Sequence, residues 1–207
     1  MKVIEQHGLH LVGAIITHYH FDHVGGIPPP PFDQLPIRVS GIATLLKKYP
    51  HIVGYMHSYD VPFLAQSNPG LPLARIHVTK DNFELKLSER IRLKFIHTPG
   101  HTPGSQCILV NNMRIFTGDT LFLGCCGRLD LEGGSERRMF ETLNRLRTEM
   151  ADEVVVYPGH AYGGGEWTTI GEEKLSGALR EMTREEWVAK MEAHDEGGSS
   201  KRQSLNL

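Results

Sequence analysis

An apolar run, Leu11-Val12-Gly13-Ala14-Ile15-Ile16-Thr17, passes directly into His18-Tyr19-His20-Phe21-Asp22-His23 and then Gly25-Gly26. The run is short and nearly continuous, which is the pattern of a buried strand. The polar string that follows therefore sits on a loop at a strand end. Three histidines and an aspartate between residues 18 and 23 are too many imidazoles for core filling. Imidazole and carboxylate are ligands of zinc, iron and manganese. In an extended stretch His18 and His20 point the same way, whereas Asp22 and His23, adjacent on a turn, diverge. One loop can then serve two cations.

Three more strand ends carry ligand-type residues. Thr98-Pro99-Gly100-His101-Thr102-Pro103-Gly104-Ser105 places a histidine on a loop shaped by glycine and proline. Thr117-Gly118-Asp119-Thr120 follows an apolar strand, and Tyr157-Pro158-Gly159-His160 follows another. Singly each is a weak signal, and Asp119 alone reads as a turn cap. Four strand-end loops, each with a metal-type ligand, form a strong coincidence.

The rest of the chain alternates strands and helices, which means an α/β layered fold. Val3 to His7 reads as a helix end stopped at Gly8, Ile42 to Tyr49 as a helix and Ile52 to His57 as a strand. Alternating Phe83, Leu85, Leu87 and Ile91, Leu93, Phe95 predict a hairpin. A second hairpin turns at Asn111-Asn112 between Cys107–Val110 and Met113–Thr117. Glu136 to Met150 carries Met139, Leu143, Leu146 and Met150 on one face of a helix. Glu153 to Tyr157 reads as a buried strand. Thr183-Arg184-Glu185-Glu186 is a capping box that opens a last helix packed through Trp187, Val188 and Met191.

At 207 residues the chain suits one domain, here 1–193, with a polar tail at 194–207 expected to be disordered. Pro28-Pro29-Pro30-Pro31 reads as a stiff extended surface linker. A net charge of -2 argues against a nucleic-acid partner, and no apolar run reaches the roughly 18 residues that span a membrane. The first residues lack the apolar core of a signal peptide. Cys107, Cys125 and Cys126 make no disulfide framework, so the expected compartment is reducing and cytoplasmic, with an organelle-targeted longer parent chain left open. Cys125 and Cys126 are read as buried small residues.

In order, the motifs HxHxDH, PGHT, GDT and PGH resemble the metallo-β-lactamase superfamily, from about Leu11 to about Trp187. Thr117-Gly118-Asp119-Thr120-Leu121-Phe122, Cys126-Gly127-Arg128 and the loop after His160 with Tyr162 are most similar to its glyoxalase II and persulfide dioxygenase branch. The resemblance implies an αββα sandwich with metals at one edge between two sheets. It places His18, His20 and His101 on one metal and Asp22, His23 and His160 on a second, with Asp119 bridging. It implies two divalent ions, zinc first, with iron or manganese as alternatives. Arg128 and Tyr162 become candidates for gripping a thiol carrier.

Three departures from the family pattern shape the expectations. Only Lys2 to Gly8 precede the first motif strand, where family members have several strands. The expectation is an N-terminally incomplete sandwich. His23 and His101 lie 78 residues apart, which suggests an insertion at about 28–60 near the site. After His160 only 47 residues remain, fewer than a glyoxalase II helical domain needs, and Trp167-Thr168-Thr169-Ile170-Gly171-Glu172-Glu173 looks more like a persulfide dioxygenase tail. The activity implied is hydrolysis of a small glutathione-derived thioester by a metal-bound hydroxide, with Asp22 and Asp119 as catalytic carboxylates. The alternative is a mononuclear iron persulfide dioxygenase using His18, His101 and Asp119, a two-histidine, one-carboxylate triad. A third expectation is an inactive fragment.

Overall fold

The computed structural model describes residues 2–30, 32–34, 36, 38–162 and 164–201. Two sheets form the middle of the molecule. The smaller has order β1-β2-β3, from Gly13–Ile15, Val53–His57 and Ile76–Thr79, with all neighbours parallel. The larger has order β4-β5-β6-β7-β8-β9. Its strands are β4 (Phe83–Lys86), β5 (Arg92–His97), β6 (Gln106–Val110), β7 (Arg114–Gly118), β8 (Val155–Pro158) and β9 (Thr168–Thr169). Only the β7–β8 pair in it is parallel.

Helices cover the outer faces. Helix α1 (Lys2–Gln6) precedes β1, and beside the smaller sheet run the single-turn α2 (Phe21–Val24), α3 (Ile42–Lys48) and α4 (Val61–Ser67). Ile42 and Leu46 of α3 and Leu64 of α4 share a core with Ile16, Met56 and Ile76. Beside the larger sheet run α5 (Glu136–Glu149), α6 (Ile170–Ser176) and α7 (Arg184–Lys201). Met139, Leu143 and Leu146 of α5 pack on Ile96, Cys107, Leu109, Ile115 and Val156. Between the sheets, Leu93, Phe95 and Ile108 meet Tyr55 of β2. Strand β5 thus sends Phe95 to one side and Ile96 to the other, as a strand must. The layering is the expected αββα sandwich.

Local chemistry explains the elements. At the β6–β7 turn Asn111 and Asn112 both have positive φ, 51° and 55°, the paired left-handed conformation of a tight hairpin. Ser135 caps α5 by accepting from the Arg138 amide, worth about 1 kcal/mol. The Thr183 box forms as read: Glu186 N donates to Thr183 Oγ1 at 3.2 Å, and Thr183 N donates to Glu186 Oε2 at 2.7 Å.

Several elements differ from the sequence reading. The segment read as an insertion at about 28–60 contains α3 and β2, and β2 is the middle strand of the smaller sheet. Pro28 is buried, Pro29 and Pro30 are exposed, and Pro31 lies outside the described residues. Helix α7 runs from Arg184 to Lys201. Residues 202–207 lie outside the described residues. Cys125 is exposed and Cys126 half-buried, contrary to the expected burial of both. They occupy a tight turn in which Phe122 N donates to Cys125 O, so Cys125 faces outward while Cys126 packs against the core of the larger sheet. Among the described residues no helix is long and apolar enough to cross a membrane.

Candidate metal centre

All four ligand-bearing loops emerge at one edge of the sandwich. His18 and His20 follow β1, Asp22 and His23 ride on α2, His101 lies between β5 and β6, Asp119 follows β7 and His160 follows β8. Close approach is enforced by glycine. Gly118 has φ +50°, and a Cβ there would meet the Thr17 side chain at 2.7 Å. A Cβ on Gly159 would meet Asp119 Oδ1 at 2.5 Å. Neither position tolerates a side chain without moving the site.

The seven predicted ligand residues are brought together. His18, His20 and His101 form one donor group, His18, His23 and Asp119 a second, and Asp22, His23 and His160 a third, each with ligand atoms within 4.8 Å of one another. His20 Nδ1 lies 2.9 Å from His101 Nε2, and His23 Nε2 lies 3.2 Å from His160 Nε2. Asp119 reaches both sides, with Oδ1 3.2 Å from His23 Nε2 and Oδ2 3.6 Å from the Nε2 atoms of His101 and His160. Asp22 Oδ2 stands 3.3 Å from His160 Nε2.

Electrostatics sets the three-histidine group apart from the His23–Asp119 pair. Burial holds the His18 imidazole well below its ordinary pKa, with the neighbouring histidines adding to the effect. Burial and His101 bring His20 down to about 4, and burial lowers His101 too. These three rings are neutral, the form that ligates metal. Burial opposes charge on His23, but the hydrogen bond and charge of Asp119 outweigh it and raise the pKa. Burial likewise opposes charge on Asp119, and His23 followed by His101 and His160 more than offsets it.

The donor set fits a pair of divalent cations. His18 Nε2 is buried without a hydrogen-bond partner, while its Nδ1 lies 3.2 Å from Thr17 Oγ1. An unmatched buried nitrogen is costly unless a ligand uses its lone pair. His101 Nδ1 lies 2.8 Å from the Arg128 carbonyl, a contact that fixes Nδ1–H as donor and leaves Nε2 for a metal.

Arg128 and Tyr162 are placed differently from each other. The Arg128 guanidinium forms two bonds to Asp130, Nε to Oδ1 at 2.8 Å and Nη2 to Oδ2 at 2.7 Å, and is largely exposed. Its backbone carbonyl, not its charge, touches the donor cluster. Tyr162 stacks on His160 with ring centroids 5.0 Å apart and meets Phe122 edge-on at 5.2 Å. The vicinal cysteines do not join the site, and burial pushes the Cys126 thiol up to about 12.

Residues 1–160 match the family model of the metallo-beta-lactamase superfamily. The chain belongs to that superfamily. A hydroxyacylglutathione hydrolase of Pseudoalteromonas translucida is 35% identical over 162 residues, which cover 78% of this chain and 51% of that relative. The crystal structure of ETHE1 from Myxococcus xanthus is 25% identical with a TM-score of 0.70, over 100% of this chain and 74% of that one. TTHA1623 in a di-iron-bound form is 27% identical with a TM-score of 0.66, over 86% of this chain and 82% of that one. These similarities agree with the glyoxalase II and persulfide dioxygenase branch. The chain spans 51% to 58% of the length of several of its curated relatives.

Sequence reasoning missed Asp60 and Tyr19. Asp60 is 0% exposed and hydrogen-bonds to both the His18–His20 loop and the His101 loop. Tyr19 sits inside the recognised string, yet its hydroxyl donates to the Glu132 carbonyl at 2.8 Å and its ring stacks on Phe63. Its position between two histidines was the available signal for Tyr19. Asp60 offered none beyond its place before Val61-Pro62 at a helix start.

Proposed function

We propose that the chain is a metal-dependent hydrolase of a small, glutathione-derived thioester. His18, His20 and His101 would hold one divalent ion, Asp22, His23 and His160 a second, and Asp119 would bridge. The observation that carries this reading is the position of Asp119, whose two oxygens lie 3.2 to 3.6 Å from histidines of both groups. Such a carboxylate serves two cations better than one. When bound, the ions lower the pKa of water toward neutrality and polarise the carbonyl under attack.

The chain's own residues do the rest. Asp22 faces the open side and accepts a hydrogen bond from the attacking water, turning its lone pair to the thioester carbon. The Arg128 carbonyl keeps His101 in one tautomer. Tyr162, flat on His160, offers a ring face to the thiol carrier beside the cleaved bond. Arg128 grips the carrier's carboxylate in exchange for Asp130. A thiol has a pKa near 8.5, so its thiolate is a weak base and would depart without a dedicated acid.

A second reading is a mononuclear iron dioxygenase for a persulfide, built on His18, His101 and Asp119. Its support is the ETHE1 likeness over 100% of this chain. One experiment separates the two. The full chain, purified without chelator, is assayed for metal content, for thiol release from S-D-lactoylglutathione and for oxygen uptake with glutathione persulfide. The hydrolase reading expects nearly two metals per chain, thiol release and no oxygen uptake. One iron per chain with oxygen uptake and no thioester cleavage would replace it with the second. Arg128→Ala is expected to raise KM more than it lowers kcat, because that contact is remote from the reacting bond.

A further inference from the structure

A carboxylate outside every motif holds the two sheets' ligand loops together. Asp60 lies between β2 and α4, is 0% exposed and forms no ion pair among the described residues. Its Oδ2 accepts from Tyr19 N at 3.1 Å and from Thr102 Oγ1 at 2.7 Å, and its Oδ1 accepts from Gly104 N at 2.6 Å. Tyr19 stands between His18 and His20 on the loop from the smaller sheet. Thr102 and Gly104 follow His101 on the loop from the larger sheet. These partners are 41, 42 and 44 residues away, so no local turn explains the contacts.

The alternative use of an aspartate here is a helix cap. Asp60 precedes α4, but its side chain makes no cap bond. Instead both oxygens turn inward, where a buried charge without a cation is costly and only well-aimed donors compensate. The same segment holds Tyr19 a second way, because Phe63 of α4 stacks on its ring at 4.6 Å and 15°. Room is tight as well: a Cβ on Gly104 would meet Asp60 Oδ1 at 2.6 Å.

We infer that Asp60 is a positioning residue that fixes the spacing of His18 and His20 against His101, and so sets the affinity of that three-histidine group for a cation. The inference rests on the metal-site reading above. It touches no reacting atom. An asparagine at this position would face three donors with one acceptor oxygen and a misplaced NH2, so either the Gly104 bond or the shared bonds to Tyr19 and Thr102 would be lost, and the clamp would loosen.

The test uses the full chain with His160→Ala, which leaves the three-histidine group as the main metal site. Cobalt(II) is titrated, and both affinity and the visible absorption bands are read. Adding Asp60→Asn is expected to weaken cobalt binding by about 10- to 100-fold and to shift the bands. Thr102→Val, which removes one of the three donors and spares the carboxylate, is expected to act in the same direction by less. If the Asp60→Asn chain does not fold, Thr102→Val decides alone. Glu173→Gln is the control, because Glu173 is also a buried carboxylate on backbone amides, those of Gly124 and Ala178. It is expected to lower Tm without moving cobalt affinity or the bands. Unchanged cobalt binding in folded Asp60→Asn, or an equal loss in Glu173→Gln, would overturn the inference. If the His160→Ala parent itself bound no cobalt, the metal-site reading would fail first, and that outcome is distinguishable.

Discussion

The two donor groups of the centre, three histidines in one and an aspartate with two histidines in the other, sit in different surroundings. His18 and His101 are 1% and 2% exposed, their rings contact Thr17 Oγ1 and the Arg128 carbonyl, and Asp60 ties the backbone of both loops. The His160 and Asp22 side chains are 28% and 43% exposed, and Asp22 and His23 ride on a helix of one turn. The first group is dry, neutral and held from both sheets. The second opens to solvent through Asp22 and His160. Asp119, 9% exposed, stands between them. A buried set can hold its geometry before a ligand binds, whereas an open set is available to exchange water and substrate. We read the first as the anchor and the second as the working side.

The largest effect should come from the residue the two groups share. Asp119→Ala removes contacts to His23, His101 and His160 together. Metal content is expected to fall toward zero, and hydrolysis by more than 100-fold, since even outer contacts to ligands are worth 10- to 100-fold. Elemental analysis with a steady-state assay checks this. A variant that keeps one full metal equivalent would show that Asp119 serves a single group, and the contrast would need redrawing.

A smaller, asymmetric pair of effects follows. His160→Ala should remove about one metal and leave the other, because the three-histidine group does not contain it. His101→Ala should lose the anchored metal and also destabilise the fold. It vacates a buried site, leaves the Arg128 carbonyl without its donor, and large-to-small changes in such places cost about 2–5 kcal/mol. Metal content and Tm measured on both variants test the asymmetry. Equal losses of Tm would mean that the two groups are equally load-sharing in the fold.

How much of this contrast was readable from the chain follows from sequence distance. His18, His20, Asp22 and His23 are crowded into six residues, and strand-end loops announced His101, Asp119 and His160. Both hairpins and α5 showed their periods over several residues. Strand β3 has four residues with Ile76 and Thr79 buried and the two between exposed, so no alternation marks it. Helix α4 starts beside Pro62 and is only seven residues long. Asp60 acts across 41 to 44 residues through backbone amides that leave no trace in composition. Which group is dry and which is open depends on packing between two sheets, and that also lies beyond local pattern.

The smallest expected effect probes the open side alone. Tyr162 is 62% exposed and touches the centre only by stacking on His160 and meeting Phe122. Aromatic contacts of this kind are worth about 0.5–1.5 kcal/mol, or about 2- to 10-fold in an equilibrium. Tyr162→Ala should therefore raise KM for a glutathione thioester by about 2- to 10-fold. Metal content and Tm should stay near their parent values, because no donor atom and little buried surface are lost. Tyr162→Phe keeps the ring and removes the hydroxyl, so it separates stacking from hydrogen bonding. If the ring is a platform, phenylalanine restores KM. If phenylalanine behaves like alanine, the hydroxyl is the contact, and the open side recognises its carrier by a polar bond. A fall in bound metal with Tyr162→Ala would instead make the ring a support for His160, and the open group would then depend on its wall as the buried group depends on its clamps.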